Sequence, residues 1–314
     1  MNYYLGIDGG GTKTLAVIHD ADGRECGRGT GGPGNIAFNS EAELAGSVHT
    51  AVGEACSAAG IAQGHFAAVC AGVAGYSVEP RRSVFEALLR REVEAERYRV
   101  EPDYLVAYWG ATGGEPGVVI IAGTGAVAYG RNAEGESYKE DGYGYLLGDR
   151  GSGFDLGLYA LRYTLEHMQE NRTDALTAAV LAETGARIQN EILQWLYGEF
   201  STARVAGLAP IVGALAEEGD PPARTLVAEM ARRLRHTVRS IRHRLWLPRD
   251  TPVYPLGGLW QLGPFFRAEF AEPTWPGHTG TPLASETLPG GRFTLAEPKH
   301  DAAAGAALLA ATAE

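Results

Sequence analysis

The stretch "YLGIDGGGTKTLAVI" runs from Tyr4 to Ile18 and places three consecutive glycines and a Thr-Lys-Thr between two apolar segments. A phosphate-binding P-loop needs Gly-Lys followed by Ser or Thr, but Thr12 separates Gly11 from Lys13 here. A dinucleotide fingerprint needs G-x-G-x-x-G at the start of a helix, whereas "TLAVIHD" alternates like a strand. The stretch therefore predicts a strand–turn–strand hairpin whose glycine tip exposes backbone N–H groups that are able to bind an anion.

The same pattern returns in the middle of the chain, where "GVVIIAGTGAVAYG" begins at Gly117. It is again an apolar segment, a Gly-Thr-Gly turn and a second apolar segment, so Thr12 and Thr124 take the same place in their turns. A repeat of this kind predicts a duplicated α/β architecture whose two turns face each other across a cleft. We expect an N-terminal domain over residues 1–116, a second domain over residues 117–297, and a C-terminal helix over residues 298–314 that packs back on the first domain.

The composition narrows the classes of function. The 314 residues carry a formal net charge of −11, which disfavours a nucleic-acid partner because such partners select basic surfaces. The opening "MNYYLGID" lacks the regions of a signal peptide, and the alanine-rich run near the C-terminus is too short to span a bilayer. The three cysteines form no C-x-x-C pair and are too few for a four-cysteine zinc site. We therefore expect a cytoplasmic protein with neither a nucleic-acid nor a membrane partner.

Six short motifs follow one another in order: "GIDGGGTKT", "GGPGN", "GVAG", "IAGTG", "LLGDRGSG" and "LGGL". With the acidic turn at Asp103 between the two hairpins, they resemble the BadF/BadG-type ATPase family, which includes N-acetylglucosamine kinases, within the actin-like ATPase superfamily. The resemblance covers essentially the whole chain. It implies an α/β, two-domain actin-like ATPase (ribonuclease H-like) fold around a nucleotide cleft, ATP and Mg²⁺ as cofactors, and a homodimer. The implied reaction is phosphorylation of an amino sugar, in the first place N-acetylglucosamine to its 6-phosphate.

The resemblance also assigns residues to the nucleotide and its metal ion. Asp8 ends the first strand and would help hold hydrated Mg²⁺, which keeps several waters and needs few carboxylates. Its alternative role is to close the turn through its own side chain. Lys13 would contact phosphate or simply face the solvent. The implied ATP-binding set is Gly10, Gly11, Thr12, Lys13, Thr124 and Gly125 around the phosphates, with Ala206, Gly257 and Gly258 around the adenosine.

The acceptor side is assigned in the same way. Asp103 is the candidate catalytic residue, because a carboxylate on the attacking sugar hydroxyl orients it and takes its proton; its alternative is a helix N-cap. Asp149 resembles a carboxylate that binds sugar hydroxyls, and it too could cap the helix that follows. Tyr143 falls where the family carries an aromatic ring beside the acetamido group, or else it is a buried loop tyrosine. The implied substrate-binding set is Asn35, Gly75, Gly142, Tyr143 and Asp149.

Two positions depart from the family pattern, and other functions stay open. Arg150 stands where relatives are often acidic and Ala126 where serine is common, so the acceptor could be glucosamine or another hexose. A dehydratase-activator ATPase would need cysteines that ligate an interfacial cluster, and the three cysteines here are not at matching spacings. A sugar-sensing regulator would need a DNA-binding module ahead of the first hairpin, where only three residues stand. The arginines between Arg232 and Arg244 spread around a predicted helix, which indicates a solvated or interface helix.

Overall fold

The computed structural model describes residues 2–62, 65–77, 79–274 and 291–312. The chain forms two compact units. Each unit contains its own mixed β-sheet with helices, which confirms the predicted α/β class. None of the helices in the described ranges is long and apolar enough to cross a bilayer. Unit 1 comprises Met1–Pro116 and Glu297–Glu314, and unit 2 comprises Gly117–Ala296.

Unit 1 is built on a five-stranded sheet. Its strands are β1 (Tyr4–Gly9), β2 (Thr14–His19), β3 (Glu25–Gly31), β4 (Phe66–Val73) and β5 (Ala95–Pro102). Their order in the sheet is β3-β2-β1-β4-β5, with β1 and β2 antiparallel and β1, β4 and β5 parallel. The carboxyl ends of the three parallel strands therefore meet at one edge of the sheet, where Gly9 pairs with Val73 and Val73 with Pro102.

Among its described residues, unit 1 has four helices: α1 (Glu41–Ala59), α2 (Arg81–Glu92), α3 (Asp103–Thr112) and α11 (Ala302–Ala310). A capping box starts α1, since Ser40 and Glu43 each accept a hydrogen bond from the other's backbone N–H. The C-terminal helix α11 lies directly on β1. A Cβ atom at Gly6 would stand 2.1 Å from the carbonyl oxygen of Ala303, so only glycine lets this helix approach the strand so closely.

Unit 2 is built on a four-stranded sheet. Its strands are β6 (Gly117–Ala122), β7 (Ala126–Arg131), β8 (Ser137–Asp141) and β9 (Val253–Leu256). Their order is β8-β7-β6-β9, with β6 antiparallel to β7 and parallel to β9. The helices are α4 (Gly153–Gln169), α5 (Ala175–Thr184), α6 (Gln189–Tyr197), α7 (Thr202–Ala206), α8 (Ala209–Glu218), α9 (Pro221–Arg244) and α10 (Pro264–Ala271), with a short 3₁₀ helix over Gly258–Gln261.

Apart from the exposed Arg244, the arginines between Arg232 and Arg244 are buried or partly buried, so the expected solvated face is wrong for them. Arg235 is 2% exposed and donates to the carbonyl oxygen of Ala271 at 2.7 Å. Arg232 and Arg233 both donate to the buried carboxylate of Glu229. A buried guanidinium is tolerated only where carbonyl or carboxylate oxygens accept its hydrogen bonds, and Arg235 in this way ties α9 to the end of α10.

Candidate functional site

In unit 1, three loops meet where the parallel strands end. The backbone N–H of Gly34 donates to the carbonyl oxygen of Gly10 at 2.9 Å, which joins the "GGPGN" turn to the first hairpin turn. The backbone N–H of Ala74 donates to the carbonyl oxygen of Gly9 at 3.1 Å, which joins the loop after β4 to the same turn. The sequence-predicted residues of unit 1 are thus brought to one edge of its sheet.

The first hairpin turn presents its backbone to solvent. It closes through a hydrogen bond from the N–H of Gly10 to the carbonyl oxygen of Lys13 at 3.0 Å. Gly11, Thr12 and Lys13 are exposed, and a Cβ atom at Gly11 would meet no atom within 4 Å. The space beside these glycines is therefore open to a bound group of atoms rather than filled by the protein.

Asp8 is the electrostatically unusual residue of this edge. It lies in β1, directly before the turn, and is only partly exposed. The pKa of its carboxyl group is raised from 3.8 to about 7, chiefly by burial and then by the negative charges of Asp103 and Asp301, while Lys13 opposes the shift. A cation placed beside Asp8 would remove this penalty, because it favours the ionised carboxylate.

The donor set around Asp8 fits a hydrated magnesium ion. Asp8 and Asp103 supply the hard carboxylate oxygens that Mg²⁺ prefers, and Mg²⁺ usually binds through one or two protein carboxylates while it keeps several waters. A dedicated cluster of three or more His, Cys, Asp or Glu ligands is absent from the described residues. The site therefore suits an ion that is shared with phosphate and water better than one enclosed by protein.

Asp103 begins α3 but does not serve as its N-cap. The N-cap position is Pro102, which makes no side-chain capping bond, and Asp103 Oδ1 accepts the N–H of Tyr104 at 2.8 Å. The helix-cap alternative for Asp103 is therefore wrong. Its carboxylate stands at the carboxyl end of β5, close enough to Asp8 to raise the pKa of that residue.

Asn35 and Gly75 are neighbours on the two loops beside the hairpin turn. Asn35 Oδ1 accepts the backbone N–H of Ala37 at 2.8 Å, so the side chain shapes its own turn. A Cβ atom at Gly75, whose φ is +85°, would lie 3.1 Å from that same Oδ1 atom. The ordinary turn role of Asn35 is present, and it leaves the side-chain NH₂ as the group with which Asn35 would bind a ligand.

In unit 2, the second hairpin turn supports the start of α4. The backbone N–H of Gly153 donates to the carbonyl oxygen of Gly123 at 2.7 Å, and that of Phe154 donates to Thr124 at 3.2 Å. Thr124 itself is exposed. The turn at residues 123–125 therefore has its carbonyl oxygens bound by the helix start, while the threonine side chain faces solvent.

Asp149 lies against this turn. A Cβ atom at Gly125 would stand 2.7 Å from Asp149 Oδ2, and the carboxylate accepts backbone N–H groups of Ala126 and Gly144. Burial raises the pKa of Asp149, and these hydrogen bonds partly oppose the rise. The N-cap alternative for Asp149 is wrong, because Ser152 caps α4 by accepting the N–H of Asp155.

The residues expected around the adenosine surround the same turn. Gly257 follows β9 with a φ of +98°, and a Cβ atom there would stand 2.4 Å from the carbonyl oxygen of Ala122. Gly258 faces open space, since a Cβ atom there would meet nothing within 4 Å. Ala206 ends α7, and its Cβ atom would lie 3.4 Å from a Cβ atom at Gly153. These residues leave a surface of backbone and small side chains beside residues 123–125.

The loop after β8 carries the remaining acceptor residues. Gly142 is exposed and has a φ of +74°. Tyr143 is 58% exposed, so the alternative of a buried loop tyrosine is wrong. The ammonium group of Lys139 stands 4.4 Å from the centroid of the Tyr143 ring, which holds the ring by a cation–π interaction.

Two acidic residues of these sites escaped the sequence reasoning. Asp301 caps α11 and acts on Asp8, although 293 positions separate the two in the chain (301 − 8), so no local pattern joins them. Asp141 is 1% exposed and has a φ of +67°. An aspartate directly before "GYG" was the available signal, because Asp tolerates the left-handed conformation that glycine-rich turns demand.

Comparisons with known proteins identify the family of this chain. A family model described as the BadF/BadG/BcrA/BcrD ATPase family matches residues 5–310. An N-acetylmuramic acid/N-acetylglucosamine kinase of Clostridium acetobutylicum is 28% identical over 243 residues, which are 77% of this chain and 79% of the relative. A glucosamine kinase of Vibrio cholerae is 28% identical over 251 residues, which are 78% of this chain and 82% of the relative.

A solved structure supports the same conclusion about the fold. The protein from Chromobacterium violaceum, which carries the provisional name N-acetylglucosamine kinase, is 26% identical to this chain. The alignment covers 99% of both chains with a TM-score of 0.77. This likeness confirms the predicted actin-like ATPase fold.

Proposed function

Because this chain belongs to the BadF/BadG/BcrA/BcrD ATPase family, we propose that it is an ATP-dependent kinase of an amino sugar, in the first place N-acetylglucosamine, and that it forms the 6-phosphate. The observation that carries the proposal is the carboxylate of Asp103, which stands beside Asp8 at the end of β5 without capping α3. Relatives named as kinases of N-acetylmuramic acid, N-acetylglucosamine and glucosamine favour this class of acceptor.

In the proposed mechanism, Asp103 is the general base. Its carboxylate accepts a hydrogen bond from the 6-hydroxyl group, orients that oxygen toward the γ-phosphorus of ATP, and takes the proton as the oxygen attacks. The bond from the γ-phosphorus to the bridging oxygen breaks, and ADP leaves with that electron pair. The proton therefore passes from the 6-hydroxyl group to the carboxylate of Asp103.

The nucleotide is proposed to use both hairpin turns. Gly10, Gly11 and Thr12 of unit 1 would offer backbone N–H groups and a hydroxyl to the phosphates, as would Thr124 and Gly125 of unit 2. The small residues Ala206, Gly257 and Gly258 suit adenosine, and Gly258 in particular faces open space. Asp8 would hold Mg²⁺, which neutralises phosphate charge when it is bound.

The acceptor sugar is proposed to use polar groups of both units. Asn35 would donate from its side-chain amide, and Gly75, which packs against Ala37 and Asn35, would present its backbone to the sugar. Asp149 would accept from sugar hydroxyls, while Gly142 and the exposed ring of Tyr143 would face the substituent on C2. Glucosamine is the second candidate acceptor, since a relative of equal identity carries that name.

A panel assay tests the proposal. ATP consumption is measured against glucose, mannose, glucosamine, N-acetylglucosamine and N-acetylmuramic acid, and the products are resolved by mass spectrometry and NMR. We expect the highest kcat/KM for a 2-acetamido or 2-amino hexose, with phosphate on O6. A chain that consumes ATP equally with and without every sugar would refute the proposed acceptor class.

We also propose a homodimer in the cytoplasm. The N-terminal flank and one face of α6 expose Ile188 (53%), Leu193 (43%) and Tyr197 (71%), and the last two are one helical turn apart. A second copy of this chain would cover them. Light scattering of the wild-type protein and Tyr197→Glu tests the dimer; equal masses would refute this interface.

The proposed compartment rests on different observations. The free thiols of the chain's three cysteines and its use of ATP suit a reducing cytoplasm.

A further inference from the structure

The loop after β8 is held in an unusual backbone conformation. Within residues 141–151, Asp141, Gly142, Gly144, Asp149 and Gly151 all have positive φ values. Two of the five are aspartates, for which this conformation is uncommon and costs energy. A loop with this many left-handed residues needs a strong local constraint, and the same loop carries Tyr143 and Asp149.

The carboxylate of Asp141 supplies that constraint. Its Oδ1 atom accepts the backbone N–H groups of Gly142 at 2.8 Å and Asp149 at 2.7 Å. Its Oδ2 atom accepts the backbone N–H and the side-chain Nε of Arg150, both at 3.1 Å. Each oxygen thus accepts two hydrogen bonds, and the buried carboxylate has its full set of partners. Asp141 therefore joins the first residue of the loop to its last two.

Two neighbours are adapted to this arrangement. A Cβ atom at Gly148 would stand 2.2 Å from Asp141 Oδ1, so position 148 must be glycine for the carboxylate to lie there. Lys139 donates to the carbonyl oxygen of Asp141 at 2.7 Å and at the same time lies over the ring of Tyr143. The Asp141 network consequently fixes the backbone of Asp149 on one side and the ring of Tyr143 on the other.

We propose that Asp141 is a positioning residue, which acts with Arg150 to hold residues 142–150 in the shape that presents Tyr143 and Asp149 to the acceptor sugar. This inference rests on the proposed function. It also gives Arg150 a role, since an arginine at this position pairs with the aspartate at position 141. The four hydrogen bonds of Asp141 involve none of the residues proposed for the nucleotide, so we expect its loss to affect the acceptor more than the nucleotide.

Steady-state kinetics of Asp141→Asn and Arg150→Ala test the proposal. The asparagine keeps the size of the side chain, but its NH₂ group would face the two donors of Arg150. We expect KM for the sugar to rise by about 10–100-fold in Asp141→Asn and less in Arg150→Ala, with KM for ATP changed by less than about threefold. The matched control is Asn132→Ala, which removes buried hydrogen bonds at the opposite end of β8.

The control separates positioning from general loss of stability. Asn132→Ala should lower Tm while both KM values stay near those of the wild type. The proposal would be overturned if KM for the sugar and KM for ATP rose together in Asp141→Asn. It would also be overturned if KM for the sugar rose as much in Asn132→Ala as in Asp141→Asn. If Asp141→Asn fails to fold, Arg150→Ala decides by the same criterion, because it removes one side-chain bond and keeps the backbone bonds to Asp141.

Hydrogen–deuterium exchange provides a readout that does not depend on turnover. Amides of residues 142–150 should exchange faster in Asp141→Asn than in the wild type, while those of α8 and α9 stay protected. Unchanged exchange in this loop would overturn the proposal even if the enzyme is an amino-sugar kinase. If the wild type phosphorylates no sugar of the panel, the proposed function fails, and faster exchange in Asp141→Asn would show that the loop is still ordered by Asp141.

Discussion

Replacing Asp8 with asparagine should stabilise the protein in the absence of metal ions. The carboxyl pKa of Asp8 is raised to about 7 from 3.8 by burial and by Asp103 and Asp301. In the unfolded chain the group ionises near its ordinary value, so between these two pH values folding takes up a proton. The stability of the wild type therefore falls as the pH rises from about 4 to about 7. In this range the unfolded chain has lost the Asp8 proton, while the folded protein still holds it.

The size of the effect follows from the shift. One pKa unit corresponds to about 1.4 kcal/mol, so ionising Asp8 in the folded protein costs up to about 4 kcal/mol above pH 7. Screening by solvent reduces this value, since Asp8 is only partly buried. We expect the advantage of Asp8→Asn to grow by about 2 kcal/mol between pH 5 and pH 8, because most of the titration falls in this interval.

Thermal and urea unfolding in EDTA at pH 5, 6, 7 and 8 measures this advantage. Asp22→Asn is the matched control, because Asp22 is an exposed acid in the turn that follows β2. Mg-ADP should reverse the order by stabilising the wild type more than Asp8→Asn. An Asp8→Asn protein that gains the same stability at pH 5 and pH 8, or none, would refute the electrostatic account of this site.

Three further outcomes are expected from the proposed site. Asp103→Asn should lower kcat by about 10²–10⁴ at saturating sugar and Mg-ATP with little change in KM, because the amide orients the hydroxyl but cannot take its proton; a kcat near that of the wild type would remove the general base. Tyr143→Ala should raise KM for N-acetylglucosamine more than for glucose, and equal losses would show that the ring does not read the acetamido group. Mg-ADP at about 100 times its Kd should stabilise the wild type by about 2.7 kcal/mol in urea unfolding; no shift at millimolar nucleotide would refute nucleotide binding.

The two hairpins are predictable from local chemistry. A glycine-rich turn between two alternating, β-branched segments is compatible with few structures other than a β-hairpin. The structure has strands at Tyr4–Gly9 and Thr14–His19 in the first hairpin, and at Gly117–Ala122 and Ala126–Arg131 in the second. The family assignment is confirmed as well. It was predictable because several short motifs in a fixed order are far more specific than any one of them alone. The site residues proposed from these motifs stay a prediction.

The alternatives for Asp103 and Asp149 could not be decided by sequence. Each residue stands near the start of a helix, and an aspartate in such a place is often its cap. The structure instead places the N-cap at Pro102 in one case and at Ser152 in the other. A helix can begin one to three residues away from the first suitable acid, and only its backbone hydrogen bonds reveal where.

What the sequence by itself determined is therefore the succession of strands, turns and helices, because their signals are local. The tertiary structure alone decided the electrostatics, since the charge that helps raise the pKa of Asp8 comes from Asp301, nearly the whole length of the chain away. It alone decided the hydrogen bonding of Asp141 as well: four hydrogen bonds converge on its carboxylate from residues that are one, eight and nine positions away. Charge and hydrogen bonding depend on distance in space, and folding sets that distance only after the local elements have formed.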